Sequence, residues 1–206
     1  ADPTNQTVEL FGTANTSFTD WWLVSIESDA GSSEGVVDRA FSFSGSFDAN
    51  GIFTVTVPDL ENPSFTYILT DDFTGAEGND LDAGDTGTLD TAPFGTIFDA
   101  VGVIEDSGDP DYATALGGTY LAPFASTDPD LVFRSDSTGD WYYTNIAGDD
   151  LYDTAGNLVG VTSALLGSAD PTSFGSVNPV VPEPGSFALL AGIFGMTFVM
   201  LKRRQA

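Results

Sequence analysis

The stretch Asp80-Leu81-Asp82-Ala83-Gly84-Asp85-Thr86-Gly87-Thr88-Leu89-Asp90 holds the densest set of side chains that could do chemistry in this chain. Calcium takes about six to eight hard oxygen ligands, and Asp residues alternating on a glycine-bearing loop can wrap one ion. Asp80, Asp82, Asp85 and Asp90 are the candidate ligands. An EF-hand loop needs oxygens at its first, third and fifth positions, glycine at its sixth and a bidentate Glu at its twelfth. Here the fifth is Gly84, the sixth Asp85 and the twelfth Thr91. Two expectations therefore stand: an irregular calcium loop, or an acidic turn without metal.

Other chemistry is limited by what the chain lacks. There is no Cys and no His, which removes disulfides, thiolate nucleophiles, Ser-His-Asp catalysis and the usual zinc sites. The one Lys is Lys202, so the rest of the chain has no lysine for a Schiff base. Catalysis would rest on carboxylates such as Asp71-Asp72, Asp109 with Asp111, or Asp149-Asp150. A glycoside hydrolase holds two carboxylates roughly 5–10 Å apart across a cleft, but neighbours along a strand point to opposite faces. The expectation is a protein that is not an enzyme. Trp21, Trp22, Trp141, Tyr142 and Tyr143 could stack on sugars or fill a core. Aromatics exposed beside a groove would favour a binding module, and aromatics all buried a structural role.

Charge narrows the partners. Before Val181 the chain carries thirty acids against Arg39 and Arg134, a net of −28. Such a surface repels nucleic acid and anionic lipid, which need Lys and Arg partners. Sixteen Phe residues still supply a packed core, so disorder is not expected.

The elements that position these residues read as β. Thr7–Phe11 and Asp20–Glu27 are rich in aromatic and branched residues. Phe41, Phe43 and Phe47 fall at even spacing, and Ile52–Val57 alternates Phe53, Val55 and Val57 with Thr54 and Thr56. Asn50-Gly51 between them predicts a hairpin. Further strands are expected at Phe65–Leu69, Thr96–Ile104, Leu131–Arg134, Trp141–Ile146 and Leu158–Val161. Asp109-Pro110 predicts a short helix over Tyr112–Leu116, closed by Gly117-Gly118, as a surface insertion. The expected fold is all-β, an antiparallel immunoglobulin-like sandwich over residues 1–166 with that helical insertion. Residues 167–181 gather Gly, Ser, Pro and Asn and read as a flexible stalk.

The last residues have a different grammar. Pro182-Glu183-Pro184 precedes an apolar run from Phe187 to Leu201, and Lys202-Arg203-Arg204 closes it. This order resembles the PEP-CTERM sorting signal of Gram-negative bacteria, over residues 182–206. The resemblance implies an exosortase as partner, acting near Pro184 during passage through the inner membrane. Fifteen apolar residues make roughly 22 Å of helix, shorter than the ~30 Å hydrocarbon core, which suits transient anchoring. Basic residues on one flank keep that end in the cytoplasm, so the body is exported to the envelope, cell surface or medium. The polar start Ala1-Asp2-Pro3 reads as what remains after a leader is cleaved.

The body has its own likeness. Asp20-Trp21-Trp22-Leu23-Val24-Ser25-Ile26-Glu27, Gly35-Val36-Val37-Asp38 and Gly51-Ile52-Phe53-Thr54-Val55 are similar to bacterial lamin-tail-like domains. The resemblance implies an immunoglobulin-like fold and brings no catalytic residue. Together these readings predict an acidic, structural protein of the cell surface or extracellular matrix. Two alternatives are kept. One is a module binding surface polysaccharide or protein; the other is a filament subunit, self-associating through the C-terminal helix.

Overall fold

The computed structural model describes residues 5–31, 33–58, 60, 64–123, 129–135, 138–166 and 174–178. Strands dominate these residues: β1 (Asn5–Phe11), β2 (Ser17–Glu27), β3 (Val37–Ser46), β4 (Ile52–Pro58), β5 (Phe65–Thr70), β6 (Ile97–Val103), β7 (Thr119–Leu121), β8 (Leu131–Arg134), β9 (Trp141–Asn145), β10 (Asp150–Asp153) and β11 (Leu158–Val161). One helical turn, α1 (Thr162–Leu166), follows β11. The fold is all-β. The strands form a five-stranded sheet in the order β3-β2-β5-β6-β7, a four-stranded sheet β11-β10-β9-β8, and the pair β1-β4. All pairings are antiparallel except β6 with β7, which is parallel.

β2 is an interior strand of the largest sheet, between β3 and β5, and its second half is apolar on both sides. That is what a strand covered on both faces requires. On one face Val24 and Ile26 join Val37, Ile68 and Ala100, under a layer of loops that supplies Phe73, Leu81, Tyr112 and Ala113. On the other face Leu23, with Trp21, Tyr67 and Leu69, packs against Val8 and Leu10 of β1 and Val57 of β4. A third cluster joins Val101, Val103 and Leu121 to Tyr143 of the four-stranded sheet.

β2 is not straight. Asp20 adopts φ 54°, its N–H donates to Ser44 Oγ at 2.9 Å, and the register against β3 shifts between Phe18 and Trp21. Asp is one of the few residues that enter the left-handed region readily. The bulge lets Phe18 and Trp21 stack at 4.4 Å instead of facing opposite ways.

Three expectations change. The Asn50-Gly51 turn forms, with Gly51 at φ 83° and Asp48 Oδ1 accepting from the N–H groups of Asn50 and Ile52. It does not make a hairpin: β3 pairs with β2, and β4 with β1. The chain arches from one sheet to the other, so Phe43 and Phe53 stack face to face at 6.0 Å. Aromatic burial between layers decides the crossing here, while the turn residues set only the local bend. The expected helix shrinks to a 3-10 turn, Thr114–Leu116, closed by Gly117 at φ 82°. It is no surface insertion, because Tyr112 and Ala113 beside it are fully buried. Finally, β7 (Thr119–Leu121) and β10 (Asp150–Asp153) are short strands not anticipated from the sequence.

Candidate functional site

Asp82 is fully buried, unlike the other three candidate ligands around it. The local chain explains how. Asp80 Oδ1 accepts from the Asp82 N–H at 3.0 Å, and Asp85, at φ 48°, turns the backbone back on itself. The following N–H groups then point inward. Asp82 Oδ1 accepts from Thr86 N and Thr86 Oγ1, each at 3.0 Å. Asp82 Oδ2 accepts from Gly87 N at 2.8 Å, Thr88 N at 3.1 Å and the Tyr112 hydroxyl at 2.9 Å. Burial works against the Asp82 charge, but the bonds from Thr86, Tyr112 and Gly87 together outweigh it and hold its pKa below the usual carboxylate range. For Tyr112, burial first and the Asp82 carboxylate second push the phenol far above its ordinary value.

This arrangement does not fit a calcium ion. Five donors use both Asp82 oxygens, the lone pairs a cation would need. Asp80, Asp85 and Asp90 lie exposed around the loop, and no group of three carboxylates among the described residues is gathered to hold a metal. The remaining acidic pairs are likewise separate fasteners. Asp71 Oδ1 accepts from Thr96 N, and Asp111 holds Thr114. Asp109 ties Ala30, Ser64 and Asp106 together. Asp149 accepts from Ser163 N and Oγ at 2.6 and 2.7 Å, which lowers its pKa.

On the other face of the five-stranded sheet, side chains from several strands gather around an open groove. A groove of about 1080 Å³ runs between β1 and β8 over the face of the five-stranded sheet. Trp21, Leu23, Tyr67 and Leu69 contribute to its floor, and Trp141 lines it from the β9 side. Two large apolar side chains stay open to solvent along it, Phe11 at 56% and Phe98 at 43% exposure. Phe98 rests on Trp21, with ring centres 4.3 Å apart. One cation marks the β8 wall: Arg134 Nη1 pairs with Asp99 Oδ2 at 2.7 Å, and its Nε donates to the Gly139 carbonyl at 2.8 Å.

The chain itself touches both walls. Gly175 N donates to Glu9 Oε2 on β1, and Asn178 Nδ2 donates to the Arg134 carbonyl on β8 at 2.9 Å. Residues 174–178, read from sequence as part of a stalk, thus lie across the groove as a strap. Tyr142 and Tyr143, candidates for sugar stacking, are instead buried in the core. No local motif could have revealed the groove, since its walls come from segments far apart in sequence. The only hint was an aromatic, Phe174, inside an otherwise polar stretch.

The sorting residues Pro182, Glu183, Pro184, Lys202, Arg203 and Arg204 lie outside the described residues. Among the described residues no helix is long and apolar enough to cross a membrane. Comparison with protein-family models, curated proteins and solved structures finds no match to this chain.

Proposed function

We propose that this chain is an exported, non-enzymatic surface protein whose body holds an extended ligand in the groove between β1 and β8. The observation that carries the reading is the aromatic-lined groove itself, with Phe11 and Phe98 exposed along it and the chain's own residues 174–178 crossing it. Exposed aromatics beside a groove favour binding over a purely passive scaffold. The acidic body, the lack of His and Cys and the separate use of each carboxylate support a role without catalysis. The two layers against the five-stranded sheet support an immunoglobulin-like sandwich of the lamin-tail kind. Residues 182–206 act as a PEP-CTERM signal, processed by an exosortase at the inner membrane, and leave the body at the cell surface or in the matrix.

The test recovers the protein from the envelope and from the medium, for the natural chain and for a Phe11→Ser/Phe98→Ser variant. Intact mass with terminal mapping is expected to find an end near Pro184, and the variant is expected to shift from envelope to medium. Chains that keep Arg203 and Arg204 throughout would overturn the sorting reading. Equal retention of both forms would overturn the groove reading.

A further inference from the structure

β1 and β8 meet the groove with their edges. Strand side chains alternate between faces, so a strand lining a cleft by one face shows every second residue to it. Here residues 6–11 of β1 and residues 129–135 along β8 line it without a gap. Among the described residues none of β4 lines it, and from β9 only Trp141 does, so the groove lies on the far side of each strand from its partner. Backbone bonds fix which groups turn toward it. The Gly12 N–H donates to the Gly51 carbonyl at the end of the β1–β4 pair. Alternation then turns the backbone N–H and C=O of Thr7 and Phe11 away from β4. The Ser135 N–H donates to the Asp140 carbonyl at the end of the β8–β9 pair, which turns those of Val132 and Arg134 away from β9. The Arg134 carbonyl accordingly meets Asn178 in the groove. Tyr67 packs with Val57 of β4 and also with the cluster of Tyr143, so both sheets cover one face of the five-stranded sheet. That second layer is two sheets side by side, β4-β1 and β8-β9-β10-β11, with the groove between their inner edges.

Those edges and the groove's charge name the occupant. Backbone groups offered at alternate residues on two facing edges match an extended polypeptide, whose own N–H and C=O groups alternate at the same spacing. A sugar chain has no such ladder. Trp21, Leu23 and Leu69 below, with Phe11 and Phe98 open to solvent beside them, suit apolar side chains at every second position. The charged residues lining the groove are Glu9, Asp99 and Asp130 against Arg134, an acidic balance that draws a basic partner. The strap's contacts agree, because it presents N–H donors and the walls answer with acceptors, the Glu9 carboxylate and the Arg134 carbonyl. Residues 174–178 themselves form a turn and no strand, so they complete the ladder of neither edge. We infer that the groove between β1 and β8 takes an extended basic peptide segment of a partner protein as an added strand. The incoming strand takes the Arg134 carbonyl over from Asn178 and joins the two sheets into one continuous layer. This inference rests on the groove reading given above and adds the chemical class of the ligand.

The test titrates the full-length protein in neutral detergent with a fluorescent peptide of four Lys-Val repeats, in about 0.15 M salt to screen long-range attraction. Two further peptides carry N-methyl groups on all the Val or on all the Lys backbone nitrogens. Each blocks N–H donation toward one edge and keeps every side chain and charge. A neutral glucan oligosaccharide represents the other ligand class, and Phe11→Ser/Phe98→Ser is the groove control. The natural chain is expected to bind the plain peptide saturably and the control variant to bind it more weakly. Either methylation is expected to weaken binding roughly tenfold, the loss of two or three ladder hydrogen bonds. Methylated peptides that bind as tightly as the plain one overturn the added strand, since charge alone would then hold them. Glucan binding that the control variant abolishes, with no binding of the peptide, overturns the peptide and leaves the groove reading standing. A control variant that treats both ligands as the natural chain does overturns both readings.

Discussion

The Tyr112 hydroxyl donates to Asp82 Oδ2 at 2.9 Å across thirty residues of sequence, and both side chains are fully buried. Tyr112 packs on Val24, Ile26 and Ile68 of the five-stranded sheet, while Asp82 gathers the N–H groups of its own loop. One hydrogen bond thereby ties together two segments of the loop layer that covers the sheet.

Removing that bond separates its contribution from that of the loop. Tyr112→Phe keeps the ring and loses one bond to a charged acceptor, an expected cost of about 2 kcal/mol in urea unfolding. Asp82→Ala leaves buried donors without an acceptor and is expected to cost at least about 3 kcal/mol. Equal losses from the two variants would mean that the loop donors find water instead.

Gly35 is where the start of β3 passes the acidic loop. A Cβ there would lie 2.5 Å from Asp82 Cβ, on a backbone at φ 78°. Gly31, at φ 82°, has nothing within 4 Å of the same point. Gly31→Ala should cost only backbone strain, about 1 kcal/mol. Gly35→Ala should cost about 3 kcal/mol, because it adds a clash with an anchored residue. Thermal unfolding of the two variants side by side measures the difference.

Stability against pH should pass through a maximum on the acid side. Burial raises the pKa of Glu27; for Asp29 burial acts first, then the charges of Asp109, Asp106 and Glu34. Raised folded-state values mean that lowering pH from neutral relieves a penalty, until the unfolded values near about 4 are reached. Asp48, Asp82 and Asp149 are shifted the other way. Their stabilisation is present above the unfolded value and is lost as pH falls through their folded values. Calorimetry is expected to show Tm rising modestly from pH 7 toward about 5 and dropping below about 4. A steady fall from pH 7 downward would contradict this balance.

Calcium should act on this protein only as a screening ion. With both Asp82 oxygens already accepting hydrogen bonds, calcium is expected to raise Tm no more than magnesium at equal ionic strength. Saturable stabilisation by calcium at micromolar levels would instead place an ion in the acidic loop.

Local sequence spoke clearly where one strand's alternation or one turn's chemistry was enough. β2, β5, β8 and β11 were legible within a residue or a few at their ends, and so was the glycine stop at Gly117. Partnering was not legible. Asn50-Gly51 signalled a turn, but the stacking of Phe43 on Phe53 carried the chain into another layer. Asp82 stood out by type and spacing as a metal ligand, yet its use depends on Tyr112, which nothing in the acidic stretch announces. The groove was invisible for the same reason, since no one segment contains two of its walls.

The placement of Arg39 and Arg134 has a consequence for proteolysis. Arg39 lies within β3 beside the Asp38 carboxylate, and Arg134 ends β8 in its pair with Asp99. From Ala1 to Val181 these are the only bonds a trypsin-like protease could choose. Arg39 sits inside a paired strand, so cutting there waits on open forms of the body. The exposed Arg134 at the end of β8 is the more open of the two sites. Through Val181, a body built this way offers basic-specific digestion almost no foothold.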